Sequence, residues 1–198
     1  MIRIAKIVKS NSHVDYVARV IDKLDVDEPP SVSDYGFAQF VSLQLEDGSE
    51  IVGVIYNSML INPEYGSFGP RLSTAIDNSV LSPDYLNEQG LLVGILLLGW
   101  RDAAGTNHHA IPRRVIPVNQ EVYSLTEADV HRFHLDEEGR VRLHYYSQIV
   151  THAGLFAPSL IEAIIEQLEP VCEPGERQRL CVLKQALVWQ RTVGGQRL

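Results

Sequence analysis

FAQFVSLQLEDGSEIVGVIYN, Phe37–Asn57, decides how the chain is read. Phe37 to Leu45 and Ile51 to Tyr56 are rich in β-branched and aromatic residues, which suit a pleated, half-buried strand. Between them stands EDGS, and Asp47-Gly48 is a dipeptide that readily takes the positive φ of a tight hairpin turn. Two strands and a turn are predicted. Gly53, inside the second strand, fits a bend in a barrel or a point of close backbone approach.

Strand signals recur on both sides of this hairpin. Ile2 to Val8 sets Ile2, Ile4 and Ile7 against Arg3 and Lys6, and Val14 to Ile21 is a second candidate. The stretch DVDEPPSVSDYG is predicted as a loop, because Pro29-Pro30 blocks regular structure. Beyond the hairpin, residues 62–89 carry Gly, Pro and Ser throughout, with short helical turns predicted near Leu72–Ile76 and Pro83–Leu86. A connection that long is usually functional or disordered. Leu91 to Leu98 is apolar on both faces and is predicted to be a fully buried strand.

HHAIPRRVIPVNQEVYSL, His108–Leu125, follows. Pro112 and Pro117 hold this segment extended and out of regular pairing. Val115, Ile116 and Val118 are expected to pack on the barrel, with Arg113 and Arg114 facing out. Thr126 with Asp129 three residues on resembles a capping box that opens a short helix. RFHLDEEGRVRLHYY then reads as a hairpin with Leu135 opposite Val141, Phe133 opposite Leu143 and His131 opposite Tyr145. That register places Arg132, His134, Arg142 and His144 together on a basic face. Ser159–Leu168 and Glu176–Arg191 carry apolar stripes at helical spacing, separated by CEPGE, and predict a helical hairpin.

The fold expected is mainly β within an α+β chain. Residues 1–125 form a small closed β-barrel with a long insertion at 62–89. Residues 126–198 form a short helix, a β-hairpin and a C-terminal helical hairpin. The same strands could instead make an open sheet covered by the helices.

The 198 residues, 45% of them hydrophobic, suffice for one core and a small appendage. Charged residues at 21% place the chain outside the disordered and fibrous classes. A net charge of −8 opposes general nucleic-acid binding but leaves room for a local basic face. Two cysteines, Cys172 and Cys181, make neither a disulfide framework nor a cysteine-rich zinc site. MIRIAKIVKS lacks a signal-peptide core, and the apolar run Leu91–Trp100 is about half the length of a membrane span. A soluble cytoplasmic protein without membrane association is expected.

No motif for catalysis stands out. The absence of GxxxxGK[ST] argues against ATP hydrolysis by this chain. His108, His109, His131, His134, His144 and His152 are numerous, but HExxH is missing and the hairpin register turns His131 and His134 apart. There is no GxSxG, and neither cysteine lies in a recognisably reactive setting; a serine triad would be invisible to spacing alone. Arg132, His134, Arg142 and His144, joined by Arg113 and Arg114, could hold phosphate, or form a solvated face balanced by Asp136, Glu137 and Glu138. Tyr65, Phe68 and Arg71 combine aromatic and arginine side chains, as protein interfaces and single-strand platforms do, or they tuck the loop against the barrel.

The order of these segments resembles a known family. RIAKIVKS, EDGSEIVGVIYN, a long insertion, GILLLGW, IPRRVIPV and EVYSLTEADVHRF follow one another as in the HAS barrel. That small barrel is shared by the N-termini of HerA-type DNA translocases and rotary ATP synthase subunits. The run Gly94–Phe133 carries most of the resemblance, which covers residues 1–125 or somewhat more. In the family a RecA-like ATPase normally follows the barrel; here two helices follow, so the chain looks like a barrel without its motor. The resemblance implies a non-enzymatic assembly or adaptor protein with no catalytic residue and no cofactor. It implies a protein partner, a HerA-type ATPase or a nuclease acting with it in DNA processing. Tyr65, Phe68, Arg71, Arg113 and Arg114 are the expected partner-binding residues, and Leu183, Leu187 and Trp189 an expected homo-oligomer face. Two other functions stay open: a nucleic-acid-binding barrel using Arg132 and Arg142, and a metal-dependent hydrolase.

Overall fold

In the computed structural model, residues 1–62, 90–136, 138 and 140–194 are described, the side chains of Val171 and of 186–194 excepted. The strands are β1 (Ile2–Ser10), β2 (Asp15–Val20), β3 (Phe40–Gln44), β4 (Glu50–Ile61), β5 (Gly90–Arg101), β6 (Asn107–His108) and β7 (Glu121–Ser124). The helices are α1 (Glu127–His134), α2 (Tyr146–His152), α3 (Ala157–Leu168) and α4 (Pro174–Gly194).

The hairpin read from Phe37–Asn57 forms β3 and β4, paired from Phe40↔Val54 to Gln44↔Glu50. Gly48 sits at φ 79 in its turn. β3 starts later than the sequence suggests because Ala38 adopts a positive φ of 65. β4 pairs with β5 along its whole length, and β5 pairs again with β2, from Asp15↔Leu96 to Arg19↔Leu92. With β1 joined to both β2 and β7, and β7 to β3, six antiparallel strands form a closed barrel. The chain therefore makes the closed barrel and not the open sheet. Closure removes the exposed strand edges that an open sheet would leave. β6 adds to the end of β5 that β2 leaves uncovered.

β5 is the buried strand its composition predicts. Val93 to Gly99 are buried residue after residue, and α2 packs against the strand from outside. Two bulges bend β4 around it, at Val52/Gly53 and Ile55/Asn57. Gly53 is both a bend and a close approach: a Cβ there would lie 2.8 Å from Cγ2 of Ile95.

Leu160, Ile161, Ile164, Ile165 and Leu168 bury one stripe of α3, and Leu180 and Leu183 of α4 pack against the same core. Gln167 Nε2 donates to the Ala38 carbonyl at 3.0 Å, tying α3 to the entry of β3. The buried residues form one cluster that runs through barrel and helices without a break at 125/126. Among the described residues, no helix is long and apolar enough to cross a membrane.

The segment 131–145 departs from the expected hairpin. Glu127–His134 is helical, Tyr146–His152 is helical, and of the three predicted cross-strand pairs only the bridge Leu135↔Val141 forms. The helical period wins because Thr126 caps it, its side chain accepting from Asp129 N, and because Val130, Phe133 and His134 then fall on one buried face.

Gly99 holds β6 in place. A Cβ there would lie 2.1 Å from the His108 carbonyl oxygen and 3.1 Å from Cζ of Phe133. Gly99→Ala is expected to cost about 1–3 kcal/mol by overpacking, read as a lowered urea midpoint. Gly36→Ala, where nothing lies within 4 Å, should change stability by no more than about 0.5 kcal/mol.

Candidate functional site

An apolar cleft lies at one end of the barrel. The β3–β4 turn, the β5–β6 turn and the proline crossing enclose about 250 Å³ lined by Leu45, Ile51, Trp100, Ala103 and Pro112, with Asp47, Asp102, Arg113 and Arg114 around it. Each element is fixed by its own sequence. In the first turn Asp47 accepts from Ser49 N at 3.1 Å and Ser49 Oγ at 2.6 Å. In the second, Asp102 Oδ1 accepts from Ala104 N at 3.0 Å and Thr106 N at 2.8 Å, and Gly105 supplies φ 88. These are local side-chain bonds that stand in for backbone turns.

The crossing contains no strand between Ala110 and Gln120, as its two prolines require. It is pinned from below instead. His13 Nε2 donates to the Pro112 carbonyl at 2.7 Å, and the Tyr16 hydroxyl accepts from Ile116 N at 3.2 Å. Asn119, at φ 67, sends its N–H to the Ile7 carbonyl at 2.8 Å and returns the chain to the barrel. Arg113 and Arg114 are exposed, as the sequence suggests. The apolar expectation needs correction: only Ile116 packs inward, while Val115 and Val118 stay 72% and 64% exposed. Anchoring through backbone polar groups leaves their side chains free to point outward.

At the cleft, His108 stacks on Trp100 with ring centroids 4.7 Å apart, and its Nε2 donates to Asp102 Oδ2 at 3.0 Å. The bond from His108, then that from Thr106, holds the Asp102 carboxyl below the usual carboxylate range. The Ser49 bonds, aided by Arg114, do the same for Asp47. Arg114 Nη2 reaches Asp47 Oδ2 at 2.5 Å. Arg113 makes no hydrogen bond or ion pair among the described residues.

The phosphate-binding set does not assemble. His134 is fully buried, its Nδ1 donating to the Val130 carbonyl at 2.7 Å and its Nε2 accepting from the Tyr145 hydroxyl at 2.6 Å. Arg132 pairs with Asp129 at 3.4 Å and Arg142 with Asp136 at 3.5 Å. His144 is exposed, with its ring 6.0 Å from that of His109. The helix that replaces the predicted strand turns His134 into the core and so divides the four. Tyr65, Phe68 and Arg71 lie outside the described residues, as do the side chains of Leu187 and Trp189; Leu183 packs on the core. Among the described residues, no three His, Cys, Asp or Glu side chains gather as a metal-ligand set.

Three features were not foreseen. Trp100 at the cleft could have been found, because it is the first large side chain past the apolar run of β5. The His134–Tyr145 pair follows from continuing the helix that Thr126 opens. The Glu50–Arg101 pair, 3.0 Å apart with each side chain 12% exposed, depends on the β4–β5 register and had no local signal.

The sequence matches, over residues 1–197, a family model described as a domain of unknown function, DUF8166. The chain belongs to that family. The match spans barrel and helices together, so the DUF8166 unit comprises both. Comparison with curated proteins finds no match.

The buried histidine gives this DUF8166 protein a specific acid response. Burial pushes His134 down to about 3, and burial also lowers His109, whose Nε2 donates to the Phe133 carbonyl at 2.8 Å. Below pH ~6.5 the unfolded imidazole takes up a proton while the folded His134 stays neutral, so protons favour the unfolded chain. The contribution is complete above that pH and is lost as pH falls toward the folded value. Urea melts should be nearly level from about pH 7.5 to about pH 7 and then steepen below pH ~6.5, approaching a loss of ~1.4 kcal/mol per unit from His134 by about pH 5, with His109 adding in the same direction. His134→Leu combined with Tyr145→Phe should remove the His134 share of that slope. Tyr145→Phe alone leaves Nε2 without a donor and should cost about 1–3 kcal/mol at neutral pH.

Proposed function

We propose that this protein is a non-enzymatic assembly component that docks a protein partner through the end of its barrel. The observation that carries the proposal is the crossing 111–118. It presents Arg113 and Arg114 beside exposed Ile111, Val115 and Val118, at the mouth of an apolar cleft that contains Trp100. Arginine and tryptophan beside apolar surface is the composition of energetically dominant interface sites. The crossing is held by backbone contacts to His13 and Tyr16, so binding would cost little ordering of the chain. The barrel interior supports the same view: it is filled by Ile4, Ile7, Leu43, Ile51 and Ile95, so action falls to the outer surface.

The resemblance to HerA-type barrels suggests the kind of partner, a HerA-type ATPase or a nuclease acting with it in DNA processing. A nucleic-acid-binding barrel is less well supported. The basic face it relied on is divided, and the arginines on it are already paired with acids.

Tagged protein captured from its source cells under nuclease treatment should retain an ATPase or nuclease identified by mass spectrometry. Arg113→Glu with Arg114→Glu should reduce that recovery roughly tenfold or more, with the thermal midpoint nearly unchanged because both side chains are exposed. Recovery that disappears on nucleic-acid digestion would overturn the proposal.

A further inference from the structure

Two carboxylates, Asp47 and Asp102, and two arginines, Arg113 and Arg114, stand around the barrel-end cleft, but they are not equally partnered. Asp47 already accepts from Ser49 N, Ser49 Oγ and Arg114. Asp102 already accepts from His108, Ala104 N and Thr106 N. Both carboxylates are therefore occupied by the loops that carry them, and Arg114 is occupied by Asp47. Arg113 is left over: it is exposed and has no partner among the described residues. The rim side chain left without a partner is thus a cation, although the whole chain is acidic.

The cleft itself is apolar. Leu45, Ile51, Ala103 and Pro112 form walls around the Trp100 indole, one face of which His108 covers. Its volume of about 250 Å³ admits one large side chain rather than a helix. Aromatic rings pack well against an indole already stacked on its far side. On the crossing, Ile111, Val115 and Val118 extend the apolar surface beyond the cleft, 49%, 72% and 64% exposed.

We infer that this cleft receives an aromatic side chain from a partner polypeptide, with a carboxylate beside it in the partner's sequence pairing with Arg113. The inference rests on the docking proposal above and adds the chemistry of what docks. A stacked nucleobase is the competing occupant. The cleft walls offer few donors or acceptors to a base edge, and one unpaired arginine on an acidic chain gives little phosphate attraction. With apolar contact dominant and one ion pair orienting it, peptide binding should depend only weakly on salt.

The test uses the full chain and a short fluorescein-labelled peptide centred on Asp-Phe-Asp, followed by anisotropy. Binding should be saturable and should weaken roughly tenfold when the peptide Phe becomes Ala. Ala103→Trp, in an exposed turn, should fill the cleft and abolish binding. Arg113→Glu should weaken the acidic peptide and strengthen a Lys-Phe-Lys peptide, a reversal that misfolding could not produce. Three results would overturn the inference: equal binding of the Phe and Ala peptides, no binding at millimolar peptide, or preferential and steeply salt-dependent binding of oligo-dT. So would a dimer in sedimentation that Ala103→Trp dissolves, since the occupant would then be a second copy. If the peptide fails while Arg113→Glu with Arg114→Glu still releases the captured partner, the docking proposal survives and only the assigned occupant falls. If capture is unchanged as well, both fall.

Discussion

The structure depends on β5 being paired along both edges and buried on both faces. It meets β4 from Glu50↔Arg101 to Ile61↔Gly90, and β2 from Asp15↔Leu96 to Arg19↔Leu92. The second set of pairs turns a sheet into a barrel. An unbroken apolar run is what such a strand requires, because neither face is left to water. The helical layer follows from the same demand: the outer face of β5 must be covered, and α2 covers it while α3 ties itself to Ala38.

Closure also decides where polar loops can gather. Where β2 stops pairing with β5, β6 takes its place, and the chain must then cross the barrel end to reach β7. Two prolines prevent that crossing from becoming a strand, and His13, Tyr16 and Ile7 hold it through backbone atoms. A segment held by its backbone exposes its side chains. Arg113, Val115 and Val118 face outward for that reason.

The strands were legible because their signals are local. The β3–β4 hairpin is specified by Asp47-Gly48, and β5 by composition. The extension of β4 to Ile61 was not legible, since β-pairing with Gly90–Leu92 across the insertion sustains it. The segment 131–145 is ambiguous in the sequence because His131, Phe133 and Leu135 fit a two-residue period, while Val130, Phe133 and His134 fit a helical one. Thr126 decides between them, because its cap starts a helix that runs on to His134. Of the candidate site, Arg113 and Arg114 were legible as an outward-facing pair. The cleft was not, because Leu45, Trp100 and Pro112 come from three separate segments that only the closed barrel brings together.

The position of β7 has a consequence for how the molecule forms. β7 lies between β1 and β3, pairing with the first strand through Ile2↔Ser124 and with the third through Val41↔Ser124. The gap it fills cannot be bridged by earlier strands, so β1–β2 and β3–β4–β5 remain separate pieces on that side until Glu121–Ser124 arrives. Much of the native pairing joins residues far apart in the chain, a topology that folds slowly and late. The ring of strands is therefore incomplete until the segment that follows the arginine crossing is in place.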